Sequence, residues 1–198
     1  MRLNLGCGLD IKEGYTNVDI RSTHPSVTIT DLSNFPWPFE DNSTKEILML
    51  DFLEHFPYKN TQRILMECYR ILEDDGSVVI QVPDVQHLTA ALTKTGGYLC
   101  NRDGGYMISQ DTSLPHLNQN LSKCPTCQQS ADEIAHAAMM RMYGGQDYPG
   151  NFHYTCFTEE MLDMQCRAVG FGDPASEEEM HQYANWNFKR RYTKGDLW

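Results

Sequence analysis

The sequence predicts an α/β fold, a doubly wound and mostly parallel sheet, on three observations. The chain opens on a short apolar strand that runs into glycines, Leu3-Asn4-Leu5-Gly6-Cys7-Gly8. A second strand, Asn17-Val18-Asp19-Ile20, carries a carboxylate near its end. Further along, apolar β runs alternate with segments of helical spacing, the pattern of parallel strands joined by crossover helices.

The glycines at the end of the first strand let a ligand approach the backbone, because no Cβ stands in the way. Asp19 can accept both hydroxyls of a ribose. The pair points to a nucleoside-bearing cofactor. The third glycine of the dinucleotide fingerprint is missing, since Leu9 and Asp10 follow Gly8. The loop to Asn17 is short for a crossover helix, and one or two helical turns at most are expected there. Both departures count against a dinucleotide, whose pyrophosphate needs a helix N-terminus.

Val27-Thr28-Ile29-Thr30 is β-branched and forms the third strand, followed by Asp31-Leu32. Two prolines exclude helix from Phe35-Pro36-Trp37-Pro38-Phe39. Glu46 to Leu50 is a fourth strand, apolar enough for burial on both faces. Asn60 or Thr61 caps a helix running to about Leu72, with Ile64, Leu65, Cys68, Ile71 and Leu72 on its apolar face. Asp74-Asp75-Gly76 turns the chain into a fifth strand, Ser77 to Val82. Val85 to Thr93 is helical. Gly96 to Lys123 is rich in Gly, Asn, Ser and Asp with little periodicity, so the region of about 85–157 is expected to be a lid. Within it, Ala131 to Tyr143 forms a methionine-rich helix. Thr158 caps a last helix, Glu159 to Val169, acidic in its first turn and ended by Gly170. Two strands complete the tail. Trp186 to Tyr192 is the clearer; the one after Gly172 is poorly marked.

At 198 residues the chain is expected to be one domain with a sizeable core. Its net charge of −11 disfavours nucleic acid as a partner, and Lys189-Arg190-Arg191 is too short a basic cluster to offset it. No apolar run is long enough to span a bilayer, and no secretory leader is visible. The seven cysteines are odd in number and scattered, which suits a reducing compartment. A soluble, cytoplasmic protein is expected.

These pieces together resemble the class I S-adenosylmethionine-dependent methyltransferases. The likeness is carried by Leu3-Asn4-Leu5-Gly6-Cys7-Gly8, Asn17-Val18-Asp19, Asp31-Leu32, Leu53-Glu54-His55, and Tyr69-Arg70-Ile71-Leu72 through Gly76 into Val78-Val79-Ile80. It implies a Rossmann-like sheet of seven strands in order 3-2-1-4-5-7-6, the last antiparallel, and S-adenosylmethionine as cofactor. It places the backbone of Gly6, Cys7 and Gly8 beside the cofactor's methionine part and Asp19 on its ribose. It places Asp31 on the adenine amino group, Leu32 on the ring, and Leu50 and Asp51 near the methionine ammonium. Asn4 and Ile20 are counted with these cofactor-binding positions.

Each candidate has a plainer alternative. Asp19 can be a solvated strand end, though the glycine turn before it favours the ribose. Asp31 can cap its own turn through its side chain. Cys7 reads as a small buried filler rather than a nucleophile. Asp51, Glu54 and His55 form a D-x-x-E-H pattern that some similar oxygen methyltransferases use for a divalent cation. The reading preferred here is helix capping plus a hydrogen-bonded histidine, with no metal. His153, in Gly150-Asn151-Phe152-His153-Tyr154 after a flexible Gly144-Gly145, is the first candidate for the acceptor's base or contact, and His55 the second. Cys124 and Cys127 form one C-x-x-C, half of a structural zinc site, with free thiols as the default. Met139, Met140, Met142, Met161 and Met164 are expected to pack.

The function expected is methyl transfer to a small-molecule or glycan-like acceptor, with oxygen the preferred acceptor atom. The rivals are a non-catalytic nucleoside-binding module of the same fold and a nicotinamide-dependent oxidoreductase.

Overall fold

The computed structural model describes residues 1–22, 24–93, 131–148, 150–175 and 187–195. They form a six-stranded sheet. The strands are β1 (Arg2–Leu5), β2 (Thr16–Asp19), β3 (Val27–Ile29), β4 (Thr44–Leu50), β5 (Leu72–Pro83) and β6 (Asn187–Thr193). Their order across the sheet is β3-β2-β1-β4-β5-β6. All neighbours are parallel except β5 and β6, which run antiparallel from Ser77↔Thr193 to Pro83↔Asn187. The switch of strand order lies between β1 and β4, where an open parallel sheet leaves a crevice beyond its strand ends.

The Rossmann-like architecture agrees with the expectation, but the strand count does not. The described residues hold six strands, not seven in order 3-2-1-4-5-7-6. After Gly170 the described residues run beside β6 without forming a further assigned strand: Phe171 bridges Lys194, Gly172 N donates to Thr193 O at 3.0 Å and Ala175 N to Arg191 O at 3.0 Å. Residues 176–186 lie outside the described residues, and so does the stretch from Gly96 to Lys123 with Cys124 and Cys127.

The helices are α1 (Tyr58–Ile71), α2 (Val85–Thr93), α3 (Ala131–Tyr143) and α4 (Glu159–Val169), with one 3-10 turn at Leu53–His55. α1 starts one turn earlier than expected, at an N-cap of Pro57 with no side-chain cap, because Thr61 is buried in the core face. α4 begins as expected: the Thr158 hydroxyl accepts from Met161 N, and Gly170 ends the helix at φ +114°. No helical turn forms between Gly8 and Asn17; that loop is a run of turns. α1 lies against α4, and α2 against α3.

The sheet carries the core. Leu3, Leu5, Val18, Ile47, Met49, Val78, Ile80 and Val82 are buried, with Ile64, Leu65 and Leu162 packed on them from α1 and α4. Each such side chain contributes roughly 1.5–3 kcal/mol, so the strand ends beside the crevice stand on a rigid base. The methionines behave differently from expectation: Met139, Met140 and Met164 are exposed. Among the described residues no helix is long and apolar enough to cross a membrane.

Candidate functional site

The crevice holds a cavity of about 410 Å³ at the carboxyl ends of β1, β2 and β4. Of the expected cofactor residues, Gly6, Gly8, Asp19, Ile20, Asp31, Leu32, Leu50 and Asp51 line it. His55, Tyr148 and Gly150 line it too. Asn4, Cys7 and His153 are outside its lining.

The glycine turn is built by hydrogen bonds from behind. Asn4 is buried, and its amide donates to Asp10 O at 2.8 Å and to Asn17 Oδ1 at 2.9 Å. Cys7 N donates to Val18 O at 3.0 Å. Burial, and then the charge of Asp19, push the Cys7 thiol up to about 11, so it is no nucleophile at neutral pH. The two glycines differ. Gly6 sits at φ +64°, and a Cβ there would lie 2.3 Å from Phe52 Cδ2. Gly8 sits at φ +51°, and a Cβ there would meet nothing within 4 Å.

Asp19 closes this turn. Its Oδ2 accepts from Gly8 N and its Oδ1 from Arg21 N, both at 2.9 Å. A carboxylate has about four lone-pair sites, so each oxygen keeps capacity for a ligand hydroxyl. Asp31 is held by its own turn. Its Oδ1 accepts from Ser33 N at 2.9 Å and Ser33 Oγ at 2.6 Å, and its Oδ2 from Asn34 at 2.9 Å. The Ser33 hydroxyl holds the Asp31 carboxyl below its ordinary value.

At the other end, β4 runs into Asp51, which adopts φ +56°. Its Oδ1 takes three donors: Asn187 at 2.6 Å, Arg141 at 2.8 Å and Gln81 at 3.2 Å. The 3-10 turn follows at once. Glu54 is fully buried there, and its carboxylate oxygens have no hydrogen-bond partner among the described residues. Burial, and then the Asp51 charge, raise its carboxyl to about 8. The Glu54 carbonyl accepts from Tyr154 N at 2.8 Å and Thr155 N at 3.3 Å, stitching the segment after His153 onto this turn.

That stitch brings His153 to His55. Their rings stand edge to face with centroids 4.7 Å apart. His55 Nδ1 donates to Phe152 O at 3.2 Å, and His153 Nδ1 donates to Arg141 O at 2.8 Å. A carbonyl can only accept, so each ring is protonated at Nδ1, and the His55 ring also bonds to the Gly150 backbone. Burial pulls His55 below its ordinary value, and burial together with His55 pulls His153 down to about 4.

The Gly144-Gly145 pair makes this placement possible. Gly144 adopts φ +77°, and a Cβ on it would lie 2.4 Å from Asn151 O. A Cβ on Gly145 would lie 2.6 Å from Asn151 Nδ2. The chain folds back tightly here, with His153 N donating to Tyr143 O at 3.0 Å and Gln146 N to Asn151 O at 2.9 Å.

Sequence reasoning missed Arg21, Thr30, Ser33, Phe52, Phe56, Tyr148 and Gly150 in the lining. Arg21 carries a signal only in three dimensions: its guanidinium lies 3.8 Å from the centroid of the Tyr148 ring, joining the β2 end to the lid region. Phe52 and Phe56 pack edge to face at 4.9 Å.

Residues 4–80 match the family described as a methyltransferase domain. Three solved structures share the fold. One is the 1,6-didemethyltoxoflavin-N1-methyltransferase of Burkholderia thailandensis, solved with bound 1,6-didemethyltoxoflavin and S-adenosylhomocysteine. It is 14% identical over 98% of this chain and 70% of its own, with a TM-score of 0.54. A SAM-dependent methyltransferase from Archaeoglobus fulgidus is 14% identical over 97% of this chain and 85% of its own, TM-score 0.55. The third, a methyltransferase of Haloferax volcanii in complex with the Trm112 methyltransferase activator, is 9% identical over 99% of this chain and 82% of its own, TM-score 0.53. No curated protein matches the chain.

Proposed function

We propose that the chain is a class I S-adenosylmethionine-dependent methyltransferase that methylates an oxygen of a small-molecule or glycan-like acceptor, a reading supported by the family match over residues 4–80 and by the shared fold. The observation that carries the proposal is that one cavity gathers both kinds of group. Gly8 and Asp19 line it, and so does His55, whose ring packs against His153.

The residues present fit the cofactor. A cavity of about 410 Å³ is within the usual range for small-molecule sites. The open side of Gly8 allows close approach to the backbone, and Asp19 has acceptor capacity for the ribose. Leu32 and Ile20 offer apolar contact to an adenine, and the Leu50–Asp51 end faces the methionine part. When bound, S-adenosylmethionine supplies an electrophilic methyl on a positive sulfonium.

The chain's own work is then orientation, exclusion of water, and the handling of one proton. Phe52 and Phe56 wall the cavity against solvent. The acceptor hydroxyl must lose a proton as its oxygen takes the methyl. His55, which lines the cavity, and His153, packed on it, are the groups for that proton. The net charge of −11 argues for a neutral or cationic acceptor over a polyanion. The lid region of about 85–157 contributes Tyr148, Gly150 and the His153 segment, so acceptor choice is expected to reside there.

The test is calorimetry with S-adenosylmethionine, S-adenosylhomocysteine and NAD, followed by turnover to S-adenosylhomocysteine across a hydroxyl-bearing acceptor library. Binding of the first two and not the third supports the cofactor. Turnover only with nitrogen acceptors refutes the oxygen reading, and binding with no turnover favours a nucleoside-binding module.

A further inference from the structure

We propose that Arg21 and Tyr148 clamp the nucleoside of the cofactor, with the Tyr148 ring as a stacking face for the adenine and Arg21 holding that ring in place. This rests on the methyl-transfer reading and deepens it, because the segment that carries His153 then also touches the cofactor.

Three observations meet here. The first is the stack itself. The Arg21 guanidinium carbon lies 3.8 Å from the centroid of the Tyr148 ring, well inside the roughly 6 Å within which a cation is drawn to an aromatic face. The second is where the stack stands. Both residues line the cavity, alongside Asp19, Ile20, Asp31 and Leu32. Among the described lining residues Arg21 is the only arginine or lysine. The third is that both partners are fixed from behind. Arg21 N donates to Asp19 Oδ1 at 2.9 Å, so the guanidinium stands beside the carboxylate that has capacity for the ribose. Tyr148 O accepts from Asn151 N at 3.1 Å, and the Asn151 side-chain amide donates to Asp147. Positive φ at Gln146 (+55°) and Gly150 (+101°) turns the chain on either side of Tyr148.

The chemistry follows from the two faces of a ring. The guanidinium covers one, and a flat base can lie on the other. Stacking of this kind needs no hydrogen-bond pattern on the base. It supplies affinity, while the polar groups around it supply selection. A cation and a ring also attract more strongly once water is removed from them. A nucleoside that covers the ring therefore strengthens the Arg21–Tyr148 contact, and by linkage the contact strengthens nucleoside binding. The effect reaches the histidines through the backbone. Tyr148 belongs to the same arc as Phe152, whose carbonyl accepts from His55 Nδ1 at 3.2 Å. A filled nucleoside site thereby steadies the segment on which His55 leans.

The test is calorimetric titration of the full chain with S-adenosylhomocysteine and with 5′-methylthioadenosine, which keeps the nucleoside and lacks the amino acid. The variants are Arg21→Gln, Tyr148→Leu, Tyr148→Phe and the double Arg21→Gln with Tyr148→Leu, with Tm measured on each. Arg21 is exposed and Tyr148 half-buried, so these changes leave the core intact. Arg21→Gln and Tyr148→Leu are each expected to weaken both ligands by about 3- to 30-fold at little change in Tm. Tyr148→Phe keeps the ring and should bind as the parent does. The double variant should be little worse than the weaker single one, since either change breaks the same contact. Parent-like affinity in Arg21→Gln or Tyr148→Leu, a double variant whose losses multiply, or losses for S-adenosylhomocysteine with none for 5′-methylthioadenosine would overturn the clamp alone. A parent that binds neither ligand overturns the clamp together with the methyl-transfer reading.

Discussion

Arg141 of α3 and Asp51 at the end of β4 meet at 2.8 Å, joining α3 to the sheet beside the cavity. Asn187 of β6 bonds to both, donating to Asp51 Oδ1 at 2.6 Å and accepting from Arg141 Nε at 3.0 Å. Asp51 holds a left-handed backbone at φ +56°, a conformation that persists when its surroundings fix it. Arg141→Met should therefore cost about 1 kcal/mol of stability and lower Tm by about 2–4 °C. It should also weaken S-adenosylhomocysteine binding. Differential scanning calorimetry and titration calorimetry check the two effects; unchanged values in both would show the pair to be incidental.

Asp19→Ala should weaken S-adenosylmethionine binding by roughly 1.5–3 kcal/mol, through loss of charge-assisted hydrogen bonds to the ribose. Asp19 also accepts from Gly8 N and Arg21 N, so alanine loosens the turn as well. Asp19→Asn separates the two roles. It keeps one acceptor oxygen for the turn and should still bind more weakly, with a Tm closer to that of the parent. Full affinity in both variants would remove Asp19 from the ribose.

The two glycines should respond differently to alanine. Gly6→Ala drives a Cβ to 2.3 Å from Phe52 Cδ2 at φ +64°, so it should lower Tm and binding together. Gly8→Ala meets no atom within 4 Å and bears only the left-handed strain, about 1–2 kcal/mol. Its methyl points into open space, and binding should fall more than Tm. Tm and calorimetric affinity measured side by side decide this. Normal binding by folded Gly8→Ala would place the cofactor elsewhere.

Asp84 caps α2, its Oδ1 accepting from Gln86 N at 2.8 Å and His87 N at 3.3 Å, while its Oδ2 pairs with the His87 ring. That hydrogen bond raises His87 above its ordinary 6.5. The protonated ring is thus favoured in the folded state. The stabilisation is fully present below about pH 6.5 and is lost as pH rises through the raised folded value. His87→Gln should remove this part of the pH dependence of Tm. A parent whose Tm does not decline across that window relative to His87→Gln would contradict the pairing.

His153→Ala should lower single-turnover rate by about 10²–10⁴-fold with an identified hydroxyl acceptor, while cofactor affinity stays within a few-fold. His153 is outside the cavity lining but touches the His55 ring at 4.7 Å between centroids. An undiminished single-turnover rate would make it a loop anchor only.

The part of the cavity lining formed by Gly6, Gly8 and Asp19 was legible in the sequence because it is local: these residues lie at the ends of consecutive strands, and strand ends converge by the rules of parallel sheets. Asp31 lines the cavity and also holds its own turn, accepting from Ser33 and Asn34 as the Asx-turn alternative anticipates. The acceptor half was half legible. His55 and His153 were named singly, yet nothing in the spacing reveals that Tyr154 N and Thr155 N bond to Glu54 O and so bring the rings together. Glu54 was passed over as a cap because its burial comes from long-range packing. Strand count differs after Gly170, where residues 171–175 bond to β6 only at Phe171, Gly172 and Ala175 and form no assigned strand.

The fold-back at Gly144-Gly145 has an evolutionary consequence. The arc from Tyr143 to His153 is closed by hydrogen bonds within it, His153 N to Tyr143 O and Gln146 N to Asn151 O. Its shape is set where the chain turns back on itself. Mutations at the two glycines, which would drive Cβ atoms to within 2.6 Å of Asn151, are therefore closed to drift.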